Sequence, residues 1–156
     1  MRVLFMCTAN SCRSILSEAM FNHLAREGFE AVSAGSFPKG QVLPRSLTTL
    51  QQAGIAIDGL YSKGNDAFEG NPPDIVITVC DKAAGETCPV YFGPAIKCHW
   101  GLEDPSEVTG DEAAVDAAFR ATLAIIERRC ATFLGLPFQT LSRVELQREL
   151  DRIGSL

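Results

Sequence analysis

No apolar run in this chain approaches the ~20 residues that span a bilayer. Met1-Arg2-Val3 leads directly into a strand-like segment, without the basic, apolar and small-residue succession of a secretory leader. A cytoplasmic protein away from membranes is therefore expected. Positive charge is scarce: 14 Lys and Arg stand against 19 Asp and Glu, for a net charge of −5, and no basic cluster is visible. That balance argues against a nucleic acid or an anionic lipid surface as partner. Histidine is limited to two residues. His23 has no Cys or acidic neighbour at a metal-like spacing, so it reads as a packed or partly exposed helix residue, and no metal site is expected. Internal repeats and low-complexity segments are absent too. The 156 residues read as one domain, 1–156, long enough to bury most of an α/β core. Cysteine, by contrast, is plentiful at six residues. In a reducing compartment these read as thiols, with any pairing transient and part of the chemistry.

The chain is organised around Cys7-Thr8-Ala9-Asn10-Ser11-Cys12-Arg13-Ser14, which follows the apolar run Val3-Leu4-Phe5-Met6 and precedes Ile15-Leu16-Ser17-Glu18-Ala19-Met20. This succession predicts strand, tight loop and helix. The amides of Thr8, Ala9, Asn10, Ser11, Cys12, Arg13 and Ser14 then converge at the positive end of the helix dipole, where an oxyanion is held without side chains. Arg13 adds a planar fork that binds two oxygens of a tetrahedral anion. Cys7 sits at the floor of this cradle. The field that binds the anion also favours thiolate, and the Ser14 hydroxyl is in reach of the sulfur, so an activated nucleophile is expected. A bare C-x5-R spacing fits a buried thiol and a surface arginine equally well. The strand before, the helix after and the Ser beside the Arg favour the anion site.

Further along, Ile15 to Arg26 reads as a helix stopped by Gly28, and Phe29 to Ser33 as a strand ending at Ala34-Gly35. Pro44 opens a short helix through Ala53, residues 55 to 70 read as irregular, and Asn71-Pro72-Pro73 breaks the chain before Asp74. Ile75-Val76-Ile77-Thr78-Val79 is continuously apolar, as in a parallel strand covered on both faces. It ends at Cys80. Cys88 follows eight residues later, across a segment 81–87 that Gly85 and Pro89 leave weak as a helix. A disulfide needs Cα atoms within about 7 Å, so the pair meets only if that segment unwinds. Taken alone, Cys80 reads equally as a buried strand-end thiol and Cys88 as an unrelated loop residue. Ile96 to Trp100 is a fourth strand, with Cys98 structural. The loop Gly101-Leu102-Glu103-Asp104-Pro105 follows, where His99 and Trp100 position the loop by packing. Pro105 fixes Asp104, which is either a general acid or an ordinary turn carboxylate. Gly110 to Leu134 is a long helix capped by Asp111, with Val115, Phe119, Thr122, Ile126, Cys130 and Phe133 on one face. Leu141 to Ile153 is a last helix with a solvated charged face.

This alternation predicts an α/β fold: a four-stranded open parallel sheet, order 2-1-3-4, with helices on both faces. That order sets the ends of the first and third strands, and with them Cys7 and Cys80, side by side at the carboxyl edge. Cys7 to Ser14, the Ser33-Ala34-Gly35 turn, the Cys80/Cys88 pair and His99-Trp100-Gly101-Leu102-Glu103-Asp104-Pro105 together resemble the thioredoxin-coupled arsenate reductases, which share the low-molecular-weight protein tyrosine phosphatase fold. The resemblance covers residues 2–134, and 138–156 looks like a C-terminal helical extension.

The resemblance implies that Cys7 attacks arsenate while Asp104 protonates the departing oxygen. Cys80 then attacks the Cys7 sulfur and expels arsenite, Cys88 attacks Cys80, and thioredoxin or glutaredoxin reduces the Cys80–Cys88 disulfide. No bound cofactor is implied, and a monomer is expected. Two departures stand out. The second and third cysteines are one residue further apart than is common in such relatives. Members that bind a monovalent cation use groups matching Asn10, Glu18 and Ser33 plus an acidic residue near position 63, where this chain has Lys63. Either its ammonium supplies that charge internally, bonded to Glu18 or Asn10, or it is a solvated loop lysine. The rival reading is a low-molecular-weight tyrosine phosphatase using Cys7, Arg13 and Asp104, but Ser106 and Glu107 follow where that family commonly places aromatics.

Overall fold

The computed structural model describes residues 1–81 and 92–156. Strands β1 (Arg2–Cys7), β2 (Glu30–Gly35), β3 (Ile75–Thr78) and β4 (Ile96–His99) form a sheet of order β2-β1-β3-β4. All three pairings are parallel, with Cys7 opposite Gly35 and Thr78 opposite His99. The predicted order is therefore observed. Alternation along β1 sends Val3, Phe5 and Cys7 into one cluster and Leu4 and Met6 into another, which is why the strand reads as continuously apolar.

The larger cluster is built by α1 (Arg13–Leu24), α2 (Pro44–Gln52), α3 (Glu112–Leu134) and α4 (Arg143–Ile153). Phe119, Thr122, Ile126, Cys130 and Phe133 of α3 are buried, and Asp111 accepts from the Ala114 N–H at 2.9 Å as its cap. Phe21, Phe133, Trp100 and Phe5 meet at ring separations of 5.5 to 6.1 Å, close enough for edge-to-face packing. The opposite face is covered by Phe68, from a 3-10 turn Asn65–Phe68, and by Phe92 and Ala95. That turn and a bridge between Gly35 and Gly64 give order to a stretch expected to be irregular.

Helix α1 ends at Leu24 rather than Arg26. Ala25 turns extended while its N–H bonds Phe21 O, and the chain reverses through Gly28 at φ +93°. Arg26 is drawn off the helix, its guanidinium donating to Leu134 O at the negative end of α3. Helix α4 starts in a capping box of Ser142 and Glu145 and buries Leu146, Leu150 and Ile153 in the same cluster as Val3 and Phe5. Trp100 Nε1 donates to Leu150 O at 2.9 Å, so α4 is tied to the residue that opens the Gly101–Pro105 loop. Among the described residues, no helix is long and apolar enough to cross a membrane.

Candidate active site

The loop after β1 is shaped by what its carbonyls bond. Those of Cys7, Thr8, Ala9 and Ser11 accept from the N–H groups of Ser36 (3.3 Å), Phe37 (2.9 Å), Lys39 (3.0 Å) and Leu43 (3.0 Å). Ser62 and Ser46 hydroxyls reinforce Ala9 and Ser11, each at 3.2 Å. A planar peptide with its carbonyl turned out points its N–H the other way. Among the described residues, 9–13 donate no backbone–backbone hydrogen bond, so these amides line the concave side at the start of α1 and form an anion nest.

Asn10 makes the turn possible. It is fully buried at φ +48°, a left-handed conformation that asparagine tolerates. Its Nδ2 donates to Ser14 Oγ (2.8 Å) and Ser33 Oγ (3.0 Å), and its Oδ1 accepts from the Lys63 N–H (2.9 Å). Gly35 is equally constrained: a Cβ there would lie 2.5 Å from Thr8 O and 3.0 Å from Asn10. Ser33-Ala34-Gly35, read from sequence as a strand end and turn, is therefore the wall against which the loop is pressed.

Cys7 and Cys80 do come together. Both are buried, and Cys80 Sγ lies 3.6 Å from Thr8 Oγ1. The Cys7 thiol is pushed up from its ordinary range, first by the neighbouring Cys80 side chain and then by burial, while the Arg13 charge and the Thr8 N–H act in the opposite sense. The thiolate expected from the field of Arg13 is thus opposed by the second sulfur. The bond recorded for Ser14 Oγ comes from Asn10, so this hydroxyl serves loop geometry.

Arg13 Nη1 donates to Leu102 O at 3.0 Å, and its Nη2 stands 3.5 Å from Asp104 Oδ2. Asp104 Oδ1 accepts from the N–H (2.9 Å) and hydroxyl (2.6 Å) of Ser106. In this arrangement Asp104 is both a turn carboxylate and part of the site wall. Thr8, Arg13, Cys80, Asp81 and Asp104 line one open cavity of about 660 Å³ with Leu102, Glu103, Glu107 and Val108. A separate cavity of about 380 Å³ brings Met20, His23, Leu24, Arg120 and Glu127 together without a thiol.

An anion nest on β1 with Cys7 at its floor and Arg13 opening α1 is matched by a known family: low molecular weight phosphotyrosine protein phosphatase, over residues 2–150. The chain belongs to that family. Within the low molecular weight phosphatase family, it is 31% identical over 131 residues to the arsenate reductase of Halalkalibacterium halodurans, covering 84% of this chain and 93% of the relative. Among solved structures, an arsenate reductase in the phosphate binding state superposes with a TM-score of 0.70 at 26% identity, over 85% of this chain and 95% of that one. The thioredoxin-dependent arsenate reductase of Corynebacterium glutamicum gives 0.58 at 26% identity, over 83% of this chain and 61% of that one.

The family fold also locates Lys63. Its Nζ lies 3.5 Å from Glu18 Oε1, donates to Tyr61 O at 2.9 Å and sits 4.4 Å over the Tyr61 ring. Glu18 Oε1 accepts from Ser33 Oγ at 2.6 Å, and the Lys63 and Glu18 side chains are 8% and 11% exposed. Burial raises the Glu18 carboxyl, opposed by Lys63 and Ser33, and burial lowers Lys63, opposed by Glu18. With Asn10 Oδ1 taken by a backbone N–H and an ammonium already beside Glu18, these groups do not fit a bound monovalent cation. Lys63 is thus not the solvated loop lysine that sequence left open.

Cys88 lies outside the described residues. Burial pushes Cys12 up to about 11 and Cys98 and Cys130 up to about 12. Sequence reasoning missed three supports of the site. Buried Arg129 donates to Gly101 O at 3.0 Å and to Leu156 O, Leu102 O receives Arg13, and His99 bridges Thr78 and Asp81. Gly101 carried a signal for the last, since a Cβ there would meet His99 Nε2 at 2.8 Å.

Proposed function

We propose that this protein is an arsenate reductase in which oxidation passes from Cys7 to Cys80 to Cys88. The observation that carries the reading is the placement of a second buried thiol, Cys80, against the loop that begins at Cys7, its Sγ 3.6 Å from Thr8 Oγ1 in the cavity that Arg13 and Asp104 also line, since a hydrolytic enzyme has no use for a second sulfur there. Arsenate is tetrahedral and anionic, and the inward amides of 8–14 with Arg13 suit it. Cys7 attacks arsenic as its thiol proton passes to the Asp104 carboxylate; a sulfur–arsenic bond forms, an arsenic–oxygen bond breaks, and the departing oxygen takes that proton from Asp104 and leaves as water. Cys80 then attacks the Cys7 sulfur. The sulfur–arsenic bond breaks with its electron pair left on arsenic, the proton of Cys80 passes to arsenite, and the two sulfurs are oxidised to a disulfide. Cys88 attacks Cys80, frees Cys7, and leaves a disulfide for thioredoxin. Asn10, Glu18, Ser33 and Lys63 hold the loop, and the internal ammonium makes turnover independent of potassium.

We further take 1–156 as one domain, acting in the cytoplasm as a monomer with thioredoxin, or less specifically glutaredoxin, as reductant. α4 supports the first point by sharing the core of β1. A tyrosine phosphatase reading has the family fold behind it and predicts aryl phosphate hydrolysis through Cys7, Arg13 and Asp104, as a side activity here. The test follows NADPH consumption with arsenate in the presence of thioredoxin and its reductase, or of the glutaredoxin system. Sustained arsenate-dependent oxidation is expected with thioredoxin. A single stoichiometric burst, or none, with both systems would contradict it.

A further inference from the structure

The segment that carries Cys80 is held on both sides of the sulfur, once by backbone and once by a side chain. Val79 O accepts from the Leu102 N–H at 3.0 Å. On the other side, Asp81 Oδ1 lies 3.0 Å from His99 Nε2, and His99 Nδ1 lies 2.8 Å from Thr78 Oγ1. Thr78 and His99 are opposite one another in the β3–β4 register. The imidazole therefore spans from the last residue of β3 to the first residue beyond Cys80. The Asp81 carboxylate takes a proton-bearing Nε2 as its donor, and the Thr78 hydroxyl stands between Nδ1 and Cys98 O, the latter 3.4 Å away. Gly101 leaves the space, because a Cβ there would stand 2.8 Å from Nε2.

We propose that His99 is a positioning residue for the second thiol: through Asp81 it tethers the Cys80 end of the relay segment to β4 and keeps the sulfur on Cys7 for the first disulfide. The inference deepens the reductase reading and rests on it for its place in turnover. The two bonds of His99 go to Thr78 and Asp81, on either side of Cys80, and it acts on the sulfur through them. The Asp81 carboxylate is 99% exposed and His99 is 38% exposed, which makes the tether weak. Weakness suits the role, since the same segment must release Cys80 toward Cys88 in the next step. A hydrogen bond to a charged group open to water corresponds to an effect of about three- to tenfold on the step it favours.

The test uses full-length protein carrying Cys88→Ser, which halts oxidation at the first disulfide, with and without His99→Ala, His99→Gln or Gly101→Ala. Cys7–Cys80 disulfide formation is timed by mass spectrometry of alkylated peptides. It is driven either by arsenate, with arsenite counted, or by diamide, which takes the two electrons and two protons of the thiol pair and becomes the hydrazine. Thermal unfolding and the arsenate concentration that half-saturates the single turnover are measured alongside. His99→Ala and Gly101→Ala are expected to slow disulfide formation about three- to tenfold with either oxidant at unchanged half-saturation and melting temperature. His99→Gln, whose amide reaches the Nε2 position, should recover part of the rate. Disulfide formation as fast as in the parent, or slowed only in step with a fall in melting temperature, would overturn the tether. No arsenite from the parent, with diamide oxidation still slowed by His99→Ala, would overturn the reductase reading and leave the tether standing.

Discussion

Replacing Gly35 by Ala tests how the anion nest is held in shape. The added Cβ would sit 2.5 Å from Thr8 O and 3.0 Å from Asn10 N and Cβ. Both are parts of the packed loop rather than ends of flexible side chains. Restoring ordinary contact near 3.4 Å requires β2 and the loop to part by about 0.9 Å. The bonds that fix the loop to residues 36 and 37 now measure 3.3 and 2.9 Å, and that separation stretches both beyond hydrogen-bonding range. Overpacking of this kind costs about 1–3 kcal/mol and each of the two lost bonds about 1 kcal/mol, so roughly 3–5 kcal/mol of stability should go. For a chain of this size that corresponds to roughly 6–20 °C in melting temperature. A reacting group displaced by about 1 Å also loses about two orders of magnitude in rate. The assay compares melting by circular dichroism and arsenate turnover for wild type, Gly35→Ala and the control Gly70→Ala, where a Cβ meets nothing within 4 Å. Gly35→Ala with wild-type melting and turnover would refute the claim that the β2 end shapes the nest.

Cys80→Ala removes the neighbour that raises the Cys7 thiol while leaving Arg13 and the Thr8 N–H in place, so the pH midpoint of Cys7 alkylation by iodoacetamide should move down. An unmoved midpoint would mean that the second sulfur does not raise the first in solution. Lys63→Met leaves Glu18 buried against Ser33 alone, and loss of one partner from a buried pair should cost about 3 kcal/mol by urea unfolding. Its activity should also gain a potassium response at fixed ionic strength that the wild type lacks; a large potassium response in the wild type would contradict the internal ammonium. Leu150→Ala, at a fully buried position of α4, should cost about 2–5 kcal/mol. A cost under about 0.5 kcal/mol would show α4 to be dispensable to the core.

The sheet order was legible because each strand is a short apolar run followed by a helix or a breaker, and parallel crossovers leave few ways to arrange such units. The Cys7 to Ser14 loop was legible for the same reason, and Cys80 followed from the order. What escaped was set by distances that periodicity does not carry. Arg129 flanks the apolar stripe of α3, and only the folded chain shows it reaching Gly101 O. Lys63 was left between two readings, since no pattern fixes the path of its loop, and the ammonium lies beside Glu18, as one of the two had it. His99 was read as packing, because its bond to Asp81 depends on the β3–β4 register. The rise of the Cys7 thiol was missed because the field of Arg13 was weighed without the sulfur of Cys80 beside it. Helix α4 was read as an extension because the resemblance covered residues 2–134, and its Leu146, Leu150 and Ile153 are buried.

The most direct measurement compares Cys80→Ser with wild type on two substrates, arsenate with the thioredoxin system and an aryl phosphate alone. Arsenate turnover should vanish in Cys80→Ser while aryl phosphate hydrolysis persists, because the nest and Cys7 remain and only the second sulfur is gone. Arsenate reduction by Cys80→Ser at a rate near that of the wild type would contradict the relay.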